Sequence, residues 1–279
     1  MSKTRTIGFI GSGNMAEALI KGFIASRKTT PDSIVASDSA SDRLAHMAKR
    51  YGIRVTSKNF EAAALSDIIF LCVKPKDLEA ALKDIASELA PEKALVSIIA
   101  GKTTDSIMET LKAAGLKHHL TVIRTMPNTP ALIGEGVIGL FTPHGVPKAK
   151  RDGIIELMGS VGAVFEVANE ELLDSVTGLS GSGPAYVFLF IEALIEAGVK
   201  QGLPVEQARE MAIKTVSGAA SLALETGKDM GELIKNVSSP GGTTIEGLKA
   251  LEKGLFKESV SEAVCAATRR AKEISGTKN

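Results

Sequence analysis

The sequence contains few of the side chains that build metal and thiol sites. Only two of its 279 residues are cysteines, Cys72 and Cys265, and they form no motif. The four histidines have no metal-ligand spacing with cysteine, aspartate or glutamate. We therefore expect no bound metal and no histidine general base, and the sparse cysteines favour a reducing, cytoplasmic setting.

The chain also lacks an excess of charge and a long hydrophobic run. Its formal net charge is +1, so no polyanion such as a nucleic acid is implied as a partner. No stretch approaches the roughly 18 apolar residues that span a bilayer, and we expect no membrane association. The opening residues, Met-Ser-Lys-Thr-Arg, lead directly into a strand pattern, so we expect no signal peptide.

The sequence does contain a glycine-rich turn close to its start. An apolar strand pattern leads into it, and Gly11, Gly13 and Ala16 have the spacing of the dinucleotide-binding fingerprint. Gly11 suits the tight turn, Gly13 lets a diphosphate approach the backbone, and Ala16 lets the next helix pack close to the strand. The N–H groups at the start of that helix, near Met15, would face the phosphates. An ordinary glycine turn is the alternative, but strand, turn and helix together favour dinucleotide binding.

The first half of the chain alternates apolar strand patterns with helical patterns. Such alternation predicts an α/β fold with a parallel sheet covered on both faces. The predicted strands are residues 7–10, 34–37, 53–56, 68–73, 95–99, 121–124, 137–141 and 163–167. After about Val167 the strand patterns stop and helical periodicity dominates. We expect a Rossmann-type dinucleotide-binding domain over residues 1–165, followed by an all-α domain over residues 166–279.

The end of the second predicted strand bears on the type of dinucleotide. An acid there binds the ribose 2′-hydroxyl of NAD, whereas a missing acid with a nearby arginine admits the 2′-phosphate of NADP. Asp38 at this position favours NAD. The alternative is a phosphate pocket formed by Ser37, Ser39, Ser41 and Arg43. Both interpretations stay open.

The helical half has an unusually apolar helix, predicted over residues 184–199. A helix that is apolar on most sides must be buried, so we expect a dimer with shared helices. The stretch 178–183 before it resembles a second phosphate loop. No strand pattern leads into that stretch, however, and Pro184 suits the first position of a helix. We therefore predict a tight turn between two helices at residues 178–183.

A second loop, residues 236–244, has the composition of an anion site. Ser239, Gly241 and Gly242 lie just before a predicted helix, so several backbone N–H groups meet at a helix start. The anion would be a carboxylate, with the hydroxyls of Thr243 and Thr244 as directed donors. A serine or threonine N-cap is the alternative, but a cap needs one hydroxyl and this loop carries four.

Five stretches together carry a family resemblance: residues 8–16, 73–75 (VKP), 126–130 (MPNTP), 178–186 (GLSGSGPAY) and 238–246 (SSPGGTTIE). They resemble the pyrroline-5-carboxylate reductases, enzymes that perform the last step of proline synthesis. The resemblance extends from about Thr6 to Ile274. Residues 238–252 match the signature that distinguishes this family, so the resemblance is specific.

The resemblance implies an N-terminal Rossmann domain and a C-terminal helical dimerisation domain, often assembled into a pentamer of dimers. It implies hydride transfer from NAD(P)H to C5 of L-1-pyrroline-5-carboxylate, with NADP as cofactor and NAD possible. The implied cofactor-binding residues are Phe9, Ile10, Gly11, Ser12, Gly13, Asn14, Met15, Ser37, Ser39, Asn59, Val73, Lys74, Pro75 and Ala100. The implied substrate-binding residues are Glu170, Asn236, Thr243 and Thr244, to which the anion loop adds Ser239, Gly241 and Gly242.

This chemistry needs neither a metal nor a histidine. A cyclic imine can take its proton from water before hydride arrives, so the protein must bind, orient and desolvate it. The N–H groups of residues 239–244 would hold the substrate carboxylate. The hydroxyl of Thr244, the one candidate catalytic group, would hydrogen-bond the ring nitrogen. Glu170 would orient that end of the substrate, from its own subunit or from a partner.

Two other functions compete with this interpretation. The first is a reductase of a 3-hydroxy acid or of another imine. A 3-hydroxy acid requires a general base, for which Lys200 is a candidate, but no lysine follows residues 181–183 by a helical turn as in such enzymes. The second is a sensor that binds NAD(P) without turnover, and a sensor needs no second anion site.

Overall fold

The structure, a computed structural model, describes residues 5–276 of the chain. Within these residues, eight strands form one sheet: β1 (Ile7–Ile10), β2 (Ile34–Ser37), β3 (Arg54–Thr56), β4 (Ile68–Leu71), β5 (Ala94–Ser97), β6 (Thr121–Pro127), β7 (Gly136–Phe141) and β8 (Gly162–Glu166). Their order across the sheet is β3-β2-β1-β4-β5-β6-β7-β8. The first six strands thus have the 3-2-1-4-5-6 order of the Rossmann fold, which confirms the predicted fold class.

Helices alternate with the strands and then form the rest of the chain. Before β8 the α-helices are α1 (Asn14–Ala25), α2 (Ser41–Tyr51), α3 (Asn59–Ala64), α4 (Leu78–Ile85), α5 (Thr104–Ala113) and α6 (Lys148–Met158). After β8 they are α7 (Leu172–Val176), α8 (Gly183–Lys200), α9 (Val205–Thr226), α10 (Met230–Asn236), α11 (Thr243–Lys253) and α12 (Phe256–Ser275). The sequence patterns did not predict α7 and α10, which are among the shortest of these helices.

Both faces of the sheet are covered. Every residue of β1, β2, β4 and β5 is buried. On one face the rings of Phe9 and Phe70 stack with centroids 5.0 Å apart, in a cluster that includes Phe23 of α1. On the other face Leu71 clusters with Leu82 of α4. Strands buried on both faces are continuously apolar, which explains why these runs show no polar alternation.

One strand departs from the predicted parallel sheet. β6 and β7 pair antiparallel, with Thr125 opposite Leu140, whereas the other neighbouring pairs are parallel. The link between them, residues 128–135, contains a single short 3₁₀ helix, Thr129–Ile133. A parallel connection needs a crossover of about a dozen residues or more, and this link is shorter. The parallel sheet predicted from the first half of the chain is therefore extended by one antiparallel pairing, that of β7 with β6.

The chain divides into two compact units. The first contains the sheet and comprises the residues up to Gly181 together with those from Ala266 onward. The second, Ser182–Cys265, is built from helices. In the second unit the ring centroids of Phe190 and Phe256 lie 5.8 Å apart. An α/β unit and an all-α unit are thus both present, as the change in sequence pattern predicts.

The helical unit leaves most of its apolar side chains exposed. Phe188 is 64% exposed, Leu189 65% and Leu224 86%. Among the described residues of this unit, only Ala208 and Ala212 are buried. Apolar surface on this scale marks an interface with another molecule. The sequence argument for a dimer, which rests on the apolar character of α8, therefore agrees with the exposure of this unit.

The predicted turn at residues 178–183 is wrong, because the chain stays helical there. Thr177–Gly181 is a π-helix, and α8 begins at Gly183 with Pro184 in its first turn. The glycines at 178, 181 and 183 do not adopt the positive φ that tight glycine turns use. The resulting stretch, Leu172–Lys200, is long and apolar enough to cross a membrane by length and composition alone. An apolar helix at a dimer interface has the same length and composition, so this finding alone does not indicate a membrane.

Candidate active site

The glycine-rich turn has the geometry that the sequence predicts. Gly11 has a φ of 90°, and a Cβ there would lie 2.9 Å from the carbonyl oxygen of Cys72, so this position requires glycine. Gly13 is the N-cap of α1, and no side chain caps that helix. Among the described residues, nothing lies within 4 Å of where a Cβ on Gly13 would be. A ligand can therefore approach the backbone at Gly13, as an anion site at the start of α1 requires.

A cleft of about 590 Å³ lies beside this turn. The predicted cofactor residues that line it are Gly11, Gly13, Ser39, Asn59, Val73 and Lys74. The others lie next to them in the chain or at neighbouring strand ends: Phe9 and Ile10 in β1, Ser12, Asn14 and Met15 in and after the turn, Ser37 in β2, Pro75 after Lys74, and Ala100 between β5 and α5. The volume is in the range of small-molecule and cofactor sites.

Asp38 lies in the wall of the cleft and is hydrogen-bonded to the turn. Its Oδ2 accepts hydrogen bonds from the N–H of Ser12 at 2.9 Å and from the Ser12 hydroxyl at 3.0 Å, and its Oδ1 accepts one from the N–H of Ala40. Burial alone would raise the pKa of Asp38, but these hydrogen bonds outweigh burial and lower it. The carboxylate is therefore ionised at neutral pH and anchors the glycine-rich turn to the end of β2.

The alternative phosphate pocket is only partly assembled. Ser39 lines the cleft. Ser37 is buried, and its hydroxyl donates to Oδ1 of Asn59 at 2.8 Å. The guanidinium of Arg43 points to the turn instead, where its Nε donates to the carbonyl oxygen of Ser12. The structure thus gives Ser37 and Arg43 internal partners and leaves Ser39 at the cleft.

Sequence reasoning missed part of the cleft wall. Asp77, Ala81 and Asp84 line it from the segment that includes α4. They follow Lys74 at spacings that place them on one face of a helix, and this spacing was the available signal. Asp38, Asp77 and Asp84 thus bring three carboxylates to the lining of the cleft, to which Lys74 contributes an ammonium group.

The structure sets up neither metal nor thiol chemistry in the part of the chain it describes. Within residues 5–276, no group of three or more His, Cys, Asp or Glu side chains is placed to hold a metal ion. Cys72 lines the cleft, but burial raises the pKa of its thiol, so the thiol stays protonated at neutral pH.

Glu170 belongs to the sheet-containing unit, where its carboxylate has several partners. Oε1 accepts hydrogen bonds from Nη1 of Arg124 at 2.9 Å and from the N–H of Thr104 at 2.7 Å. Oε2 accepts one from the Thr104 hydroxyl at 2.9 Å. Thr104 is the first residue of α5, so Glu170 connects β6 to the start of that helix.

The remaining predicted substrate residues belong to the helical unit and lie in the loop between α10 and α11 or at the helix ends that flank it. Asn236 ends α10 and Thr243 begins α11. The N-cap of α11 is Gly242, and no side chain caps this helix. Thr244, at the second position of α11, is therefore not its cap. The structure thus does not favour the N-cap interpretation, and it leaves a helix start whose N–H groups no hydroxyl satisfies.

Comparison with known proteins places this chain among dinucleotide-dependent reductases. A family model described as pyrroline-5-carboxylate reductase dimerisation matches residues 170–274, and one described as NADP oxidoreductase, coenzyme F420-dependent, matches residues 6–101. The first match supports a homodimer formed through the helical part of the chain.

Similar proteins cover nearly the whole chain. The pyrroline-5-carboxylate reductase of Arabidopsis thaliana is 40% identical over 96% of this chain and 95% of its own length. The structure of such a reductase from Coxiella burnetii is 36% identical, with a TM-score of 0.89 over 98% of this chain and 99% of that chain. A Plasmodium falciparum pyrroline carboxylate reductase with NADP bound is 32% identical, with a TM-score of 0.86 over 97% and 98% of the two chains. Given this identity over nearly the full length, the chain belongs to the pyrroline-5-carboxylate reductase family.

Proposed function

We infer that this chain catalyses the NADPH-dependent reduction of L-1-pyrroline-5-carboxylate to L-proline, the last step of proline biosynthesis. The observation that carries this inference is similarity over nearly the whole chain to relatives named for this activity, 40% identical in the Arabidopsis protein. Reduced nicotinamide, when bound, supplies the hydride that C5 of the cyclic imine accepts. The protein binds and orients the two reactants and excludes water.

The cofactor side of the proposal rests on the cleft beside the glycine-rich turn. The uncapped start of α1 and the open space at Gly13 suit a diphosphate, which the N–H groups of Gly13 and Asn14 would hold. Lys74 adds a positive charge to the same cleft. NADP is the proposed cofactor because a solved relative has it bound. NAD stays possible because Asp38 follows β2 and lines the cleft.

The substrate side of the proposal rests on the loop before α11. The N–H groups of Ser239, Gly241 and Thr243 would hold the substrate carboxylate at an uncapped helix start, while the N–H of Gly242 donates to the carbonyl oxygen of Ser239. The hydroxyl of Thr244 would hydrogen-bond the ring nitrogen, where the product amine forms. Asn236, at the end of α10, would complete this group.

The proposed role of Glu170 differs from the substrate-binding role that the family resemblance implies. Its two carboxylate oxygens already accept three hydrogen bonds from Thr104 and Arg124. A contact with the substrate amine would have to share those oxygens. We therefore propose that Glu170 acts mainly by positioning the start of α5, next to the loop that carries Ala100.

An absorbance assay of reduced-cofactor consumption tests the proposed function. The purified chain, with NADPH or NADH, should consume cofactor only after pyrroline-5-carboxylate is added, and L-proline should appear in equal amount. A 3-hydroxy acid offered with NADP⁺ should give no reaction. If the chain binds NADPH but neither consumes it with the imine nor forms it from NADP⁺ and the 3-hydroxy acid, it is a sensor or a reductase of another substrate, and the proposal fails.

The proposal extends to assembly and location. Five homodimers would form a decamer in the cytoplasm, without membrane association, with the exposed apolar side chains of α8 buried between subunits. Light scattering should then give a mass well above that of one 29.2 kDa chain. The division into a dinucleotide-binding domain of residues 1–165 and a substrate-binding and dimerisation domain of residues 166–279 stays a prediction, which limited proteolysis would test.

A further inference from the structure

A cluster of charged side chains lies behind the glycine-rich turn, between α1 and α2. Glu17 of α1 pairs with Nη2 of Arg43 at 2.5 Å. Its other oxygen, Oε1, lies 2.8 Å from Nε2 of His46 and accepts a hydrogen bond from the Tyr51 hydroxyl at 2.8 Å. The Glu17 side chain is only 18% exposed. Three side chains of α2 therefore converge on one carboxylate in the first turn of α1.

The cluster keeps the carboxyl group of Glu17 ionised. Burial alone would raise the pKa of Glu17, but the hydrogen bonds from His46, Tyr51 and Arg43 outweigh burial and lower it to about 2. The carboxylate is therefore ionised throughout the neutral range. It holds the guanidinium of Arg43 in one place, since a charged pair with restricted solvent access resists separation.

Arg43 in turn contacts the backbone of the turn. Its Nε donates to the carbonyl oxygen of Ser12, and its Nη2 lies 3.3 Å from the carbonyl oxygen of Gly13 and donates to it. One peptide unit earlier, Asp38 accepts a hydrogen bond from the N–H of Ser12, and it also accepts one from the Ser12 hydroxyl. A fixed cation and a fixed anion thus hold the turn from its acceptor and donor sides.

These contacts bear on the groups that would bind the diphosphate. The carbonyl of Ser12 shares its peptide unit with the N–H of Gly13, and the carbonyl of Gly13 shares its unit with the N–H of Asn14. A carbonyl that accepts a hydrogen bond from a cation polarises its own peptide unit, which strengthens the N–H as a donor.

We propose that Arg43 is a positioning residue for the dinucleotide diphosphate and acts through the peptide units of Ser12 and Gly13. The proposal rests on the inferred dinucleotide site. It assigns Arg43 a role that is independent of the 2′-phosphate, because the cleft wall at the end of β2 is formed by Asp38 and Ser39. Arg43 therefore supports NADPH and NADH binding alike and does not discriminate between them.

The test compares cofactor affinities in an Arg43→Met variant, which keeps the aliphatic stem and removes the charge. Calorimetry with the full chain measures Kd for NADPH, NADH and ADP. We expect all three to weaken by the same factor, about tenfold or more, as for the loss of charged hydrogen bonds. The control is Lys49→Met on the same helix, whose exposed side chain should be replaceable without effect.

Two results would overturn the proposal. Weaker NADPH binding with unchanged NADH and ADP binding would make Arg43 a direct ligand of the 2′-phosphate. Unchanged binding of all three would give it no role. If Arg43→Met does not fold, Arg43→Lys serves instead, because it keeps the charge but cannot donate to both carbonyls with one rigid fork. Its NADPH and NADH affinities must fall together.

Failure of this proposal is distinguishable from failure of the proposed function. If the wild-type chain binds dinucleotides but does not reduce the imine, the catalytic inference fails and the role of Arg43 is still measurable. If it turns over the imine and Arg43→Met binds both cofactors normally, only the role of Arg43 fails.

Discussion

The three hydrogen bonds of Glu170 lead to a prediction that separates a structural role from a substrate role. The side chain of Arg124 is only 5% exposed and that of Glu170 15% exposed, so the ion pair is largely desolvated. Glu170→Ala leaves the guanidinium of Arg124 buried without its partner and removes the acceptor for the N–H and hydroxyl of Thr104. Breaking a buried pair in this way costs about 3–5 kcal/mol.

The expected loss of stability is large enough to measure by thermal unfolding. For a chain of this size a change of 1 kcal/mol shifts Tm by about 2–4 °C, so Glu170→Ala should lower Tm by roughly 6–20 °C. The matched control is Glu171→Ala, since Glu171 is exposed and an ordinary surface substitution changes stability by less than about 0.5 kcal/mol. Calorimetric or fluorescence melting of the full chain provides the measurement.

A double-mutant cycle identifies the partner. In the Glu170→Ala variant, the further substitution Arg124→Met should lower the free energy of unfolding only a little more. The coupling energy between Glu170 and Arg124 should reach about 0.5–3 kcal/mol. The reasoning is refuted if the Glu170→Ala variant has the same Tm as the Glu171→Ala control. A normal Tm together with a raised KM for the imine would instead support the substrate-binding role that the family resemblance implies.

The remaining predictions concern the cleft and the anion loop. Gly13→Asp should abolish NADPH and NADH binding with Tm preserved, because a carboxylate would fill the open space where the diphosphate approaches; normal affinity would contradict this placement of the cofactor. Asp38→Ala should raise the ratio of kcat/KM for NADPH over NADH, because it removes a charge that repels a 2′-phosphate. It should also lower the affinity for both cofactors, because Ser12 loses its acceptor. An unchanged ratio would mean that Asp38 does not face the ribose. Thr244→Val should lower kcat/KM for the imine by about ten- to hundredfold, Thr244→Ser much less, and neither should change NADPH affinity; equal activity of the two variants would leave the hydroxyl no role.

Much of this protein is predictable from its sequence because the signals are local. The run Ile7–Ile10 is continuously apolar and ends at glycine, so a buried strand and a tight turn follow from residues next to each other. The presence of a helix shortly after Gly13 and of another shortly after Gly242 follows in the same way, although α1 and α11 begin one and two residues earlier than the predicted Met15 and Ile245. Glycine and helical periodicity act within a few residues, and reading along the chain is sufficient to find them.

Glycine as a local signal gave a wrong prediction where the chain contains glycines but forms no turn. Residues 178–183 carry three glycines, yet the backbone there stays helical and takes a π-helical turn. Glycine permits a positive φ but does not impose one. The antiparallel pairing of β7 was also missed, since its direction depends on the length of the link from β6 and not on the composition of either strand.

Only the tertiary structure decided which charged side chains meet. Glu170 and Thr104 are 66 positions apart, Asp38 and Ser12 are 26 apart, and Arg43 and Glu17 are 26 apart. A carboxylate looks alike in the sequence whether it binds a ribose, anchors a turn or holds an arginine. Its role depends on which donors the fold brings within about 3 Å. Strand order and helix packing, which join distant residues, set those distances.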